Sequence, residues 1–314
     1  MKNQSYKDQV RLLLDVLQQV AKEDCFALHG GTAINLFVRD MPRLSVDIDL
    51  TYLPIEDRPT TLDNISSALI RIKNRVEKAM PNTRIQHKKE IGKLLIEQQR
   101  TGIKLEVNLV GRGIIDAPKK MILCNKAQEM YDLSAVINIV PIGQLYGGKI
   151  CAALDRQHPR DLFDVKYLLE NEGFSDKIRH GFIFCLLGSD RPINEVLAPN
   201  FQDHRKAMEN QFVGMSENAF SYEEFEATRK QLVKIVHANL TDKDKEFLLS
   251  VKNATPDWSI YDFERFPAVQ WKLQNLEKLK NKDPEKHKKQ YECQGQSKTL
   301  PLGRRKTSPL WFDC

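Results

Sequence analysis

The chain has 314 residues, 41% hydrophobic and 29% charged, the profile of a globular protein with room for one large domain or two smaller ones. No stretch approaches the roughly 18 consecutive apolar residues of a membrane span, and the opening "MKNQSYKDQVRLLL" has no apolar run with a small-residue cleavage site, so neither a membrane nor export is expected. The net charge of +6 is uneven, since Trp271–Cys314 carries 11 Lys+Arg against 5 Asp+Glu, and six scattered cysteines without a CxxC pair read as reduced thiols of a cytoplasmic protein.

Residues 6–22 place Val10, Leu13, Leu14, Leu17 and Val20 at spacings of three and four, which predicts an amphipathic helix. "CFALHGG" reads as a short strand ending in a turn. "TAINLFVRD" reads as a helix with Thr32 at or near its N-cap. "SVDIDLTYL" alternates and is rich in β-formers, so it predicts a strand. Val46, Ile48 and Leu50 then point one way, and Ser45, Asp47 and Asp49 the other. A helix is expected over 60–79, stopped by Pro81. Three strand candidates follow, "TRIQHKKE", "KLLIEQQ" and "IKLEVNLV", with Gly92 and Gly102 at their joints. Helices are expected over 142–154, 160–171, 177–187, 222–238, 242–251 and 267–280.

The order predicts an α+β, bilobed chain with a cleft between its parts. A mixed sheet with helices is expected over 1–135, a helical lobe over 136–290, and a basic, disordered tail over 291–314. The basic stretch Lys278–Lys289 is either a solvated helix face or an RNA contact.

Aspartates at i and i+2 on a strand share a face, about 7 Å apart at the backbone. Side chains there can converge on Mg²⁺, which takes oxygen ligands from one or two carboxylates plus substrate phosphates. Two such ions can stabilise both the attacking and the leaving oxygen of a displacement. Glu106 is the candidate third carboxylate, because it lies opposite the apolar face of "IKLEVNLV". Gly30 and Gly31 at a strand-to-helix turn let backbone N–H groups approach an anion. Lys149, Ala153 and Arg156 fall at i, i+4 and i+7, one helical face, with Ala153 keeping it open. Lys149 can meet phosphate as a point charge and Arg156 as a fork. Asp161 belongs to a first helical turn, where it complements the dipole. Asp164 reads first as an orienting partner for Lys149 or Arg156, and second as a substrate contact. Arg43 either binds phosphate or forms a salt bridge with the aspartates. Ser45 either binds phosphate or braces the strand.

These residues carry a resemblance. GGT followed by Arg-x-Ser-x-Asp-x-Asp resembles the nucleotidyltransferase motif of the DNA polymerase β superfamily. "LHGGTAINLFVRDMPRLSVDIDLTY" is similar, more closely, to the AbiEii/AbiGii abortive-infection toxin family, the toxins of bacterial type IV-class toxin–antitoxin pairs. "GGKICAALDR" and "RDLFDVKYL" resemble that family's later motifs, the second supplying Arg160, Asp161 and Asp164, and "FPAVQWKLQNLEKLKNKDPEKHKKQ" resembles its C-terminal helix. The resemblance spans roughly residues 5–290. After Tyr291 the chain departs from the family and turns to Gly, Pro and basic residues.

The resemblance implies a polymerase-β-like fold and a Mg²⁺-dependent nucleotidyltransferase, with Mn²⁺ as a substitute and an NTP as substrate. The metal would sit on Asp47, Asp49 and Glu106, with Lys149 and Asp164 completing the catalytic set. The nucleotide would be held by Gly30, Gly31, Thr32, Arg43, Ser45, Lys149, Arg156, Arg160 and Asp161. The resemblance further implies phage defence, GTP binding in some members and tRNA 3′-end modification in others. A cognate antitoxin would act on the toxin, with or without a stable complex. The alternative within this class is an NTP-binding toxin or interaction module without transfer. From another class, "DIDLT" fits the DxDxT box of haloacid dehalogenase-like phosphatases, whose first Asp is a nucleophile. That box should follow a buried apolar strand; here it follows "MPRLS", and no GDxxxD motif comes later.

Overall fold

The computed structural model describes residues 2–295. Helix α1 (Lys2–Val20) buries Val10, Leu13, Leu14, Leu17 and Val20 almost completely. Each such side chain contributes roughly 1.5–3 kcal/mol on burial. Strand β1 (Phe26–His29) runs directly into a helical turn, α2 (Gly30–Ala33), which widens into a π-helical turn over Ile34–Val38. Strand β2 spans Asp47–Tyr52, and helix α3 spans Arg58–Ala79, begun by Asp57 accepting from the Thr60 N–H. Strands β3 (Thr83–Lys88), β4 (Lys93–Gln98) and β5 (Thr101–Asn108) form a meander. Gly92, at φ +61°, supplies the left-handed turn between the first two.

Strand β6 (Lys119–Ile122), helix α4 (Asn125–Tyr131) and strand β7 (Val136–Ile139) complete the sheet. Its seven strands run β3-β4-β5-β2-β1-β7-β6. β2 pairs with β5 and β1 with β7 in parallel, and the other pairs are antiparallel. Val136–Ile139, expected in the helical part, is instead a strand of the sheet, between β1 and the edge strand β6. One face of the sheet, with Ile48, Leu50, Leu94, Ile96, Leu105 and Val107, is buried, and α1 and α3 pack against the sheet.

Helices dominate after Pro141: α5 (Ile142–Asp155), α6 (Pro159–Asn171), α7 (Asp176–Leu187), α8 (Ile193–Leu197), α9 (Arg205–Gln211), α10 (Tyr222–Asn239), α11 (Asp242–Lys252), α12 (Pro267–Lys282) and α13 (Pro284–Gly295). α10 and α11 each begin with a capping box, Ser221 with Glu224 and Thr241 with Asp244. α5 and α7 cross backbone to backbone. A Cβ on Gly147 would stand 2.3 Å from the Gly181 carbonyl carbon, so the crossing requires glycine on both helices. α13 extends to Gly295, into the segment expected to be a disordered tail, and the rest of that segment lies outside the described residues. Among the described residues no helix is long and apolar enough to cross a membrane.

Candidate active site

The register of the sheet assembles the site. β1 opposes His29 to Asp49, and β2 opposes Asp49 to Glu106 and Asp47 to Lys104. His29, Asp49 and Glu106 therefore form one row across three adjacent strands, with Asp47 and Lys104 beside it. The chain then turns sharply into α2. Gly30 sits at φ +71°, and a Cβ there would stand 2.5 Å from Asp49 Oδ2. A Cβ on Gly31 would stand 2.7 Å from Arg43 Nη2 and 3.0 Å from Ser45 Oγ. The two glycines are required because the backbone passes in contact with a carboxylate and a guanidinium. A cavity of about 210 Å³ opens between this sheet face and helices α5 and α6.

The helical wall is a network of buried charge. Asp164 accepts from Arg43 Nε and Nη2 at 2.7 and 2.6 Å, lies 3.0 Å from Lys149 Nζ, and accepts from Asn35 at 3.0 Å. Lys149 Nζ donates to Asp161 at 2.8 Å, and Arg156 Nε donates to the other Asp161 oxygen at 2.6 Å. Burial alone would raise the pKa of both aspartates, but Lys149 and Arg156 hold Asp161 well below the usual range, and Arg43 and Lys149 hold Asp164 below it. Both are ionised, as buried cations require. Lys149 and Arg156 also line the cavity, and Arg156 is 61% exposed, so its guanidinium reaches substrate space while tied to Asp161.

The sheet wall is the opposite case. Burial and the neighbouring Asp47 charge push the Asp49 carboxyl up to about 6, Lys149 opposes this, and Glu106 adds to it. The Asp49 carboxylate has no hydrogen bond or ion pair among the described residues. Asp47 faces Lys104 at 3.4 Å and Arg160 at 3.6 Å, and Glu106 pairs with Lys93. Burial, helped by Lys149, pushes His29 down to about 4, so it is neutral near pH 7. Its Nδ1 lies 3.2 Å from Thr51 Oγ1.

Residues 11–275 match the family model described as nucleotidyl transferase AbiEii toxin, type IV TA system. The chain belongs to the AbiEii family of nucleotidyltransferase toxins. It is a nucleotidyltransferase by that membership. Its fold is similar to that of MenT4, a nucleotidyltransferase toxin from Mycobacterium tuberculosis H37Rv, with a TM-score of 0.63 at 12% identity over 88% of this chain and 94% of that one. Among curated proteins none matches the chain by sequence.

In this AbiEii chain every residue singled out from sequence at the site falls in or directly behind the cavity, with three changes of part. Thr32 is not an N-cap. The helix already starts at Gly30, and the Thr32 hydroxyl lies 2.5 Å from the Asp47 carbonyl and 3.0 Å from Ser45 Oγ, bracing the turn against β2. Ala153 does not open the α5 face; it is buried at 1%, and Ala152, at i+3 from Lys149, lines the cavity instead. Arg43 takes the salt-bridge alternative, with Asp164 rather than with the site aspartates as partner. The dehalogenase-like reading fails as well, because "DIDLT" does not follow a strand but is itself the start of β2.

Sequence reasoning missed His29, Asn35, Lys93 and Lys104. Lys104 was within reach, since it shares a face with Glu106 at i−2. Among the described residues no three His, Cys, Asp or Glu side chains are gathered as a metal cage. Rim cations face two of the three carboxylates. The donor set of hard oxygens, with the Asp49 carboxyl lacking a partner and raised by burial and by the like charge of Asp47, nonetheless fits a divalent cation such as Mg²⁺.

Proposed function

We propose that this toxin transfers an NMP group from an NTP to the 3′ end of a tRNA, using Mg²⁺ or Mn²⁺ held by Asp47, Asp49 and Glu106, and that a cognate antitoxin neutralises it. One observation carries the reading. Asp47, Asp49 and Glu106 share a face on adjacent strands and open into a cavity whose other wall presents Lys149 and Arg156. A divalent ion bound there supplies charge neutralisation and polarisation of the reacting phosphate. Lys149 and Arg156 meet the β- and γ-phosphates. Asp164 and Asp161 hold those cations in place and touch no substrate. Gly30, Gly31 and Ser45 keep the floor small enough for the phosphates to approach the carboxylates. The acceptor hydroxyl oxygen bonds to the α-phosphorus, the bond from that phosphorus to the bridging oxygen breaks, and pyrophosphate leaves. The hydroxyl proton passes to Glu106 Oε2, the oxygen other than the one that faces the Lys93 ammonium, on a side chain 36% exposed against 26% for Asp47.

The test is incubation of the purified chain with Mg²⁺, total bacterial tRNA and each α-³²P-labelled NTP separately, beside Asp47→Asn. Label on tRNA is expected from the wild type, falling by about 100-fold or more in the variant, because a lost transition-state charge contact is typically that large. Label on protein would replace the RNA acceptor with another. No label with NTP binding intact would leave an NTP-binding toxin without transfer.

A further inference from the structure

The catalytic face of the sheet does not stop at Glu106. Register carries it outward: Lys93 of β4 opposes Glu106, and Lys88 of β3 opposes Lys93. In the neighbouring rows Leu95 opposes Lys104, Gln86 opposes Leu95, and Arg84 opposes Glu97. Arg84, Gln86, Lys88, Glu97 and Lys104 are exposed, whereas the alternate residues Ile85, Leu94, Ile96, Ile103 and Leu105 are buried on the other face. Three strand spacings separate β2 from β3, roughly 14 Å at about 4.8 Å each. On β3, β4 and β5 the face carries four cations, Arg84, Lys88, Lys93 and Lys104, against Glu97 and Glu106. Arg84 and Lys88 have no ion-pair partner among the described residues. No Phe, Tyr or Trp stands on β3, β4 or β5, so the surface offers charge rather than a stacking platform.

We infer that this open sheet face is the track on which the single-stranded end of an RNA acceptor lies, its phosphates on Arg84, Lys88, Lys93 and Lys104 and its terminal hydroxyl over the carboxylates. The inference rests on the transfer reading above and names the surface that delivers the acceptor. It fits a polyanion because the cations Arg84 and Lys88 on β3, then Lys93 on β4 and Lys104 on β5, lead into the place where acceptor chemistry would occur. Lys93 and Lys104, paired with Glu106 and Asp47, would exchange those carboxylates for phosphates as the strand arrives. Contact through phosphates makes binding strongly salt-dependent and tolerant of sequence. The basic C-terminal helices fit the role less well. There Lys280 Nζ donates to the Asn253 carbonyl at 2.9 Å, and the Lys278 ammonium sits 5.7 Å from the centre of the Trp271 ring.

The experiment uses the full chain and two fluorescein-labelled probes, bacterial tRNA and a 12-nucleotide single-stranded RNA, titrated by anisotropy at several salt concentrations. The variants are Arg84→Glu with Lys88→Glu, and Lys278→Glu with Lys286→Glu as the competing surface. The sheet variant is expected to weaken binding of both probes at least tenfold and to lower the slope of log affinity against log salt by about 1.4, for two lost single-strand phosphate contacts. Its affinity for Mg²⁺–NTP should stay unchanged. Unchanged RNA affinity and slope in that variant would overturn the inference, and so would a loss confined to the C-terminal variant. If the wild type binds RNA through the sheet face but transfers nothing, the transfer reading falls and the track stands. If it transfers to RNA and the sheet variant leaves both binding and the RNA KM unaltered, the track falls and the transfer reading stands.

Discussion

Asp164→Asn keeps the side chain's shape and removes its charge, which makes it a sharp test of the network behind the site. Asp164 is 1% exposed on its side chain and receives two bonds from Arg43, one from Asn35 and the ammonium of Lys149. An amide can still accept on one oxygen, but its NH₂ then faces a donor, the buried Arg43 loses its carboxylate partner, and Lys149 keeps only Asp161, which it shares with Arg156. Removing one partner of such a buried pair costs about 3–5 kcal/mol. At about 2 °C per kcal/mol for a chain of this size, the expected fall in Tm at pH 7 is about 6–10 °C. The matched surface change is Glu170→Gln, whose pair with Lys166 is 3.7 Å long and 55% exposed on the acid; it should alter stability by less than about 0.5 kcal/mol. The contribution of Asp164 also has a direction in pH. Its folded pKa lies below the usual 3.8, so its stabilisation is complete above that value and is lost as pH falls through and below it. The variant should therefore approach the wild type in Tm at acid pH. Thermal unfolding by circular dichroism at pH 7 and near pH 3 measures both effects. A Tm at pH 7 within about 2 °C of the wild type would refute the claim that buried charge, rather than packing alone, holds Arg43 and Lys149.

Gly30→Ala should cost about 1–2 kcal/mol in stability from its left-handed backbone and about 100-fold in activity by displacing Asp49, whose Oδ2 would lie 2.5 Å from the new Cβ; urea unfolding and a transfer assay separate the two. His29, pushed down to about 4 from 6.5, makes the folded state bind fewer protons than the unfolded one between those values, so stability should rise with pH across that window and His29→Asn should flatten the rise in a Tm-versus-pH series. Lys104→Met removes a cation 3.4 Å from Asp47, and because the pair is partly exposed the expected gain in Mg²⁺ affinity of the nucleotide-free chain is at most about fivefold, read by calorimetry at low salt. Weaker Mg²⁺ binding in that variant would mean Lys104 does not compete for the carboxylate.

The carboxylates were legible in the sequence because a strand's period is two. "SVDIDLTYL" fixes Asp47 and Asp49 on one face whatever the rest of the fold does, and "IKLEVNLV" does the same for Glu106. Alternation cannot say which strand lies beside which. β2 pairs with β5 only after a helix and two further strands have intervened, so the facing of Asp49 and Glu106 is a tertiary fact. The ion network was hidden for the same reason, since Arg43 and Asp164 are 121 residues apart. Short elements failed differently. β6 and β7 have four residues each and α8 five, too few for a period to be counted. Thr32 was misread because its type suits a cap and its neighbours are glycines. A cap rule works on a helix that begins where the apolar pattern begins, and here the helix begins earlier, at a glycine forced on the chain by Asp49.

The division of charge between the two walls follows from which residues the fold can pair. The helices α5 and α6 bring Lys149, Arg156 and Asp161 together within one connection, and Asp164 reaches across to Arg43, so every charge behind the cavity has a buried partner. The sheet cannot do this for Asp49. Its cross-strand neighbours are a neutral histidine and another carboxylate, and the nearest cations are held by Asp161 and Asp164. A fold that neutralised Asp49 internally would need a cation on β1 or β5 in that row, and the chain places His29 and Glu106 there. The unpaired carboxylate is therefore built in by register. On the proposed function, the partner it lacks is a divalent ion.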